Sequence, residues 1–165
     1  MIIIHGSGVV RAGQWSRRLI MNDCLDSGTQ LPFIRRSISE GYGVVILNTN
    51  RNTQVIEKKK CKIRGSSSPE QHAQYVWKHF ITTAQARRID IIAHSYGGVV
   101  TVELMKAYFE DFHKRVNKIA FTDSVHDLDL HKVPGNAKRW LTTHALNWIS
   151  CTAVSYTHLT LPTKA

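Results

Sequence analysis

Cysteine, acidic residues and long apolar runs are all scarce in this chain of 165 residues, and each scarcity closes a class of function. The three cysteines, Cys24, Cys61 and Cys151, form no C-x-x-C pair and are odd in number, so neither a disulfide framework nor a zinc site is indicated and a reducing compartment is expected. No apolar run approaches the roughly 20 residues that a membrane-spanning helix needs. Met1-Ile2-Ile3-Ile4 lacks the charged start and the length of a signal peptide. Twelve acids stand against 22 lysines and arginines, a formal charge of +10 that favours polyanionic partners. The basic residues gather in Lys58-Lys59-Lys60-Cys61-Lys62-Ile63-Arg64, which reads as a solvated loop or as a nuclear-import or nucleic-acid patch. No aromatic residue interleaves with it, so base stacking is not indicated there.

What the chain does contain is organised around Ile89 to Val100, Ile-Asp-Ile-Ile-Ala-His-Ser-Tyr-Gly-Gly-Val-Val. An apolar strand, Ile89 to Ala93, breaks at His94-Ser95-Tyr96 and gives way to two glycines and a helix-compatible run. A turn of this order lifts the serine hydroxyl above the sheet and needs small flanking residues, here Ala93 and Gly97, for strand and helix to approach. The pattern is the G-x-S-x-G elbow with alanine for the first glycine, followed by a second glycine, Gly98. It predicts an α/β class, three-layer α/β-hydrolase-like fold with a mainly parallel sheet, incomplete at both ends. Fold alone does not establish activity.

Taken in order, Ile2-Ile3-Ile4 is expected to be a buried strand that leaves no room for earlier ones. His5-Gly6-Ser7-Gly8 follows, either a simple strand-to-helix turn or the loop that supplies one oxyanion N–H, from Gly6 or Ser7, with Tyr96 supplying the other. Gln14–Met21 and Gln30–Glu40 predict helices, the second with an apolar stripe of Phe33, Ile34 and Ile38; Asn22–Thr29 is polar and turn-rich. Val44–Leu47, closed by Asn48-Thr49-Asn50, is the second strand. Arg51–Ser67 shows no periodicity and is expected to be a surface loop. Ser68-Pro69-Glu70-Gln71 has the form of a capping box opening a helix with Ala73, Val76, Trp77, Phe80, Ile81 and Ala84 inward. Val99–Phe112 is the helix after the elbow, with Val102, Met105 and Phe109 facing in. Lys118–Thr122 is a fourth strand, and Ala137–Ser150, carrying Trp140, Leu141 and Trp148, is expected to be helical.

Asp123 stands where such folds can place a triad acid, although a strand-end aspartate equally serves as a turn or cap residue; His126 lies three residues on. The strands should be ordered second, first, third, fourth, with the switch point between those ending at His5 and Ala93. No metal or cofactor motif is present. Val154–Thr163 resembles a translated sequencing-library adapter, so residues 154–165 are expected to be a non-native tail, with the natural domain occupying 1–153 and His158 outside any catalytic argument.

Several blocks together resemble a specific family: Val10-Arg11-Ala12-Gly13-Gln14-Trp15, Asp26-Ser27-Gly28-Thr29-Gln30, Glu40-Gly41-Tyr42-Gly43-Val44, Ser68-Pro69-Glu70, Tyr75-Val76-Trp77, Ala93-His94-Ser95-Tyr96-Gly97-Gly98 and Thr122-Asp123-Ser124-Val125-His126. They look like the cotranscriptional regulators that carry the argonaute-binding-protein-2 (Arb2-like) domain. The resemblance implies an α/β-hydrolase-like domain in a mainly nuclear protein, with cytoplasm as a second location. It further implies links to Argonaute, small-RNA silencing, chromatin and alternative splicing, and Ser95 as the proposed nucleophile of a suspected hydrolase. It also implies a domain longer at both ends, with the triad histidine held in the part beyond this chain. Two readings follow: a scaffold that keeps the elbow as architecture, and a serine hydrolase using Ser95.

Overall fold

The computed structural model describes residues 1–150 and the backbone of Thr163–Lys164. The sheet is built from β1 (Ile2–Ile4), β2 (Val45–Ile46), β5 (Ile89–His94), β6 (Val116–Thr122), β7 (Ala145–Trp148) and β8 (Thr163–Lys164), in spatial order β2-β1-β5-β6-β7-β8. All neighbours are parallel except the β7–β8 pair at the edge. Among the four strands expected from the sequence, the order second, first, third, fourth is the one observed. The remaining tail residues, with Cys151 and His158, lie outside those described.

Parallel strands need helical crossovers between them, and the chain supplies these with α1 (Arg17–Asn22), α2 (Leu25–Gly28), α3 (Leu31–Ser39), α4 (Pro69–Val76), α5 (Tyr96–Ala107), α6 (Phe109–Arg115) and α7 (Gly135–His144). The core is the sheet face occupied by Ile2, Ile4, Ile91, Ala93 and Phe121 together with Trp77, Val100, Leu104, Met105 and Phe112 from the helices. Alternation along β5, with Ile89, Ile91 and Ala93 buried and Asp90, Ile92 and His94 half-buried, is the period-2 signature of a strand covered more fully on one face.

Several expectations are corrected. The segment expected to be a loop, Arg51–Ser67, contains an antiparallel hairpin, β3 (Thr53–Ile56) with β4 (Lys59–Lys62). Its turn places Glu57 at φ 48° and Lys58 at φ 65°, the left-handed pair of a tight two-residue hairpin turn. Charge on both faces erased the alternation that would have announced it. The helix expected to run to Ser150 ends at His144, and residues 145–148 pair in register with Ile119–Thr122; four residues are too few to separate the two periods. The helix expected over Val99–Phe112 breaks at Tyr108, so that Phe112 is fully buried in the core while Phe109 packs at its margin.

The stripe after Ser68 also shifts. Trp77–Ile81 forms a π turn, in which Thr82 N–H donates to the Trp77 carbonyl at 2.9 Å. The wider turn keeps Ala73, Trp77 and Ile81 inside but turns Phe80 out, leaving it 61% exposed, and leaves Ala84 exposed too. In α3 the expected stripe is not a buried one: Phe33 and Ile38 are exposed and Ser37 is the buried residue. The capping box is half present, since Ser68 Oγ accepts from Gln71 N–H while the Gln71 side chain accepts from Ser67.

Candidate functional site

Strand β5 ends at His94, and the chain turns into α5 through Ser95, whose φ of 51° and ψ of −119° lie in the left-handed half of backbone space. For a residue with a side chain this geometry is held only by surrounding structure. Here the Ser95 N–H donates to Thr122 O at 2.9 Å, and the Ser95 carbonyl accepts from Gly98 N–H at 3.0 Å and from Val125 N–H at 3.4 Å. His94 adds a hydrogen bond from Nδ1 to the Thr122 carbonyl at 3.0 Å. The turn is thus pinned to the end of β6.

Close approach is paid for in glycine. A Cβ on Gly97 would stand 2.8 Å from the Ile4 carbonyl and 3.0 Å from that of His5, so α5 rests directly on the end of β1. One on Gly98 would overlap Ser124 Oγ at 1.7 Å. One on Gly6 would lie 3.1 Å from Ser95 Cβ and 3.5 Å from its Oγ, which puts the loop after β1 against the serine side chain. Ala93 is fully buried beneath the turn.

The N–H groups of Gly6, Ser7 and Tyr96 take no protein acceptor among the described residues, and the Ser95 hydroxyl likewise has no hydrogen-bond partner there. Tyr96 contributes its backbone only. Its side chain turns to α4, where the hydroxyl donates to Glu70 Oε1 at 2.7 Å. That bond, reinforced by burial and the Glu70 charge, pushes the phenol up to about 12. Burial opposes ionisation of Glu70, but the hydrogen bonds from Tyr96, its own backbone and Ser68 outweigh it and hold the carboxyl below its usual range. At neutral pH the pair is therefore a neutral donor and a carboxylate.

The loop after β1 is fastened by a residue the sequence reading passed over. Asn50 Nδ2 donates to Gly6 O at 2.9 Å and to Val10 O at 3.1 Å, closing the His5–Val10 segment from the end of β2. The signal was available: β2 neighbours β1, so a polar residue just past its end falls beside that loop. His5 is 1% exposed, and its Nδ1 donates to Gly6 O at 2.8 Å while Nε2 is buried without a partner among the described residues.

Asp123, His126 and Ser95 are not joined by hydrogen bonds. Asp123, at φ 45°, turns its carboxylate to the segment just past the end of β7, where Oδ1 accepts from Ser150 N–H and from Ser150 Oγ at 2.9 Å. It serves as the cap of a strand end. His126 Nδ1 pairs with Ser124 Oγ at 2.6 Å, and its ring lies 4.5 Å from that of Phe121. On the other side of the sheet a cavity of ≈260 Å³ is walled by Trp15, Phe33, Ile92 and His94. Among the described residues no group of three or more His, Cys, Asp or Glu is placed to hold a metal ion, and no helix is long and apolar enough to cross a membrane.

Burial holds His5, His72 and His126 below the usual histidine range; for His5 the Gly6 hydrogen bond resists this only in part. His72 shows why neutrality matters, since Nε2 accepts from Asn48 N–H at 3.1 Å and an imidazolium could not. A group whose pKa is depressed on folding binds more protons in the unfolded chain. Its stabilisation is complete above the unfolded value of about 6.5 and declines as pH falls below it. Thermal midpoints are expected to drop between about pH 7 and pH 5, with a smaller drop for His72→Gln; a midpoint that rose on acidification would contradict the assignment.

Residues 1–153 match the Arb2 domain. The chain belongs to the Arb2-domain family. It is 39% identical over 198 residues to the human "Cotranscriptional regulator ARB2A", covering 91% of this chain and 48% of that protein. It is 48% identical over 124 residues to "FAM172 family protein homolog Y75B8A.31" of Caenorhabditis elegans, covering 75% of this chain and 38% of that one. The chain thus spans about half the length, or less, of the curated relatives it matches. A solved structure described as a histone deacetylase from Saccharomyces cerevisiae superposes with a TM-score of 0.51 at 16% identity, over 95% of this chain and 65% of that one. That likeness bears on fold, and agrees with the α/β class and mainly parallel sheet of this Arb2 domain.

Proposed function

We propose that this Arb2 domain is the α/β-hydrolase-like module of a nuclear cotranscriptional regulator that works through protein contacts in Argonaute-linked RNA silencing, chromatin and alternative-splicing assemblies. The relatives are named cotranscriptional regulators, which supports the regulatory part. The observation that carries the protein-contact part is that the Ser95 hydroxyl has no imidazole or carboxylate partner among the described residues. A serine hydroxyl without a base is a weak nucleophile, whereas the glycine packing that forms the turn is needed for the fold in any case.

A second reading is favoured by the Ser95 backbone itself, held at φ 51° beside Gly6. In it the domain is a serine hydrolase of an ester, thioester or amide. Ser95 Oγ attacks the carbonyl and passes its proton to a histidine base, which returns it to the leaving group. The N–H of Tyr96 and that of Gly6 or Ser7 hold the oxyanion.

One pair of measurements separates them. In a full-length relative, binding of purified Argonaute is expected to survive Ser95→Ala at the matching serine, and a fluorophosphonate probe is expected to leave the folded protein unlabelled. Loss of Argonaute binding in folded Ser95→Ala, or no binding by either form, would overturn the first reading. Labelling that disappears in Ser95→Ala would establish the second.

A further inference from the structure

The β3–β4 hairpin is rooted firmly and used by nothing in the fold. At its base Ile63 N–H donates to Asn52 O at 3.0 Å, and Asn52 Nδ2 donates to Ser66 O at 3.0 Å. Ser66 Oγ in turn bonds Arg51 O at 2.9 Å and His72 Nδ1 at 3.0 Å, which ties the arm to α4. Beyond this root Lys58, Lys59, Lys60 and Lys62 are exposed, as is Arg64 within it, and none forms an ion pair among the described residues. Glu57 is the one acid on the arm.

Directly opposed residues of an antiparallel pair share a face, so the register sorts these cations. Lys60 opposes Val55 and Lys62 opposes Thr53 on one face; Lys59 opposes Ile56 and Cys61 opposes Gln54 on the other, with Lys58 at the tip. Positive charge therefore flanks the ribbon on both sides. A ribbon meeting a flat anionic surface would need it on one. Two walls of phosphate on either side of an inserted ribbon is the geometry of the duplex DNA major groove, about 12 Å wide and about 8.5 Å deep, which admits a two-stranded β-ribbon. Four residues per strand at about 3.3 Å each give an arm of about 13 Å, long enough to enter it. The major groove of duplex RNA is deep and narrow, and single strands are gripped by aromatic stacking that this arm lacks. Val55 and Ile56, 73% and 50% exposed, lie on opposite faces among lysines, so no apolar face is set apart for a lipid surface.

We propose that the hairpin is a duplex-DNA-binding arm that enters the major groove with its lysines on the phosphates of both walls. This goes beyond the reading given above and does not rest on it. The test is fluorescence anisotropy of the whole chain with a labelled DNA duplex, the matching RNA duplex and single-stranded DNA, and co-sedimentation with phosphatidylserine vesicles. The DNA duplex is expected to bind tightest, with log K falling against log salt at a slope of about −4.5 for five cations. Converting Lys58, Lys59, Lys60 and Lys62 to glutamine should flatten the slope to about −1 and weaken binding at least about tenfold at low salt. A second variant joins Asn52 to Ile63 by two glycines, deleting the arm where its root is already closed, and should behave likewise with an unchanged circular dichroism spectrum. Absence of DNA binding, equal or tighter binding of duplex RNA, single strands or vesicles, or full binding by a folded arm variant would each overturn the proposal.

Discussion

Trp77→Ala is expected to destabilise the domain by about 3–5 kcal/mol, a large part of the about 5–15 kcal/mol that holds a domain of this size together. Trp77 is 1% exposed and lies at the start of the π turn, its ring centroid 5.2 Å from that of Phe112 and 6.5 Å from that of Tyr108. Truncation removes the contact between α4, α5 and α6 and leaves a void whose walls are fixed by three separate elements. The indole N–H also donates to Asp111 Oδ2 at 3.0 Å, and Trp77→Phe removes that bond while keeping an aromatic ring in the pocket. Asp111 is 39% exposed and also faces Arg115 at 3.7 Å, so its carboxylate is not stranded; the phenylalanine variant should lose only about 1–2 kcal/mol. Urea unfolding of the three proteins measures both. If the alanine protein fails to fold, the phenylalanine variant still reads the hydrogen bond, and a loss as large as that expected for alanine would show that the bond, not the packing, dominates.

How much of this was legible in the sequence depended on how each signal was punctuated. β5 and the turn at Ser95 were legible because an apolar strand, small residues and a helix follow one another within a dozen positions, and every local requirement agrees. The strand order followed from the same regularity. Residues 53–62 were not legible because exposed strands carry no hydrophobic pattern, and the left-handed turn is made by Glu57 and Lys58 rather than by asparagine and glycine. Phe80 was misplaced because a π turn changes the period in mid-helix without a mark in composition. The candidate site divided along the same line. Ser95 and Gly97 belong to one local motif, Gly6 follows the strand set beside it, and the three stand together. Asp123 and His126 were inferred from position along the chain alone, and the orientation of a side chain at a strand end is set by neighbours the sequence does not name: Ser150 for one, Ser124 and Phe121 for the other.

Gly97→Ala is expected to destabilise by about 1–3 kcal/mol, and Gly97→Val by more, although both substitutions improve or preserve hydrophobic character in a buried helix. The obstacle is backbone. An added Cβ meets the Ile4 and His5 carbonyls at 2.8 and 3.0 Å, and those atoms belong to the buried end of central strand β1 and the buried residue that follows it. Relief requires α5 to lift from β1, which would also separate Ser95 from Gly6. Gly98→Ala should cost less, because the contact at 1.7 Å is with the Ser124 hydroxyl, which can turn away, and the one at 2.8 Å is with Ser124 Cβ, on the segment after β6 rather than in a central strand. Gly135→Ala, in the first turn of α7 with nothing within 4 Å, should be neutral or stabilising by up to about 1 kcal/mol, as the alanine restricts the unfolded chain. Thermal midpoints ranking Gly135→Ala above Gly98→Ala above Gly97→Ala would support the close seating of α5 on β1. Equal midpoints for Gly97→Ala and Gly135→Ala would mean that α5 stands further from β1, and the juxtaposition of Ser95 with the Gly6 loop would go with it.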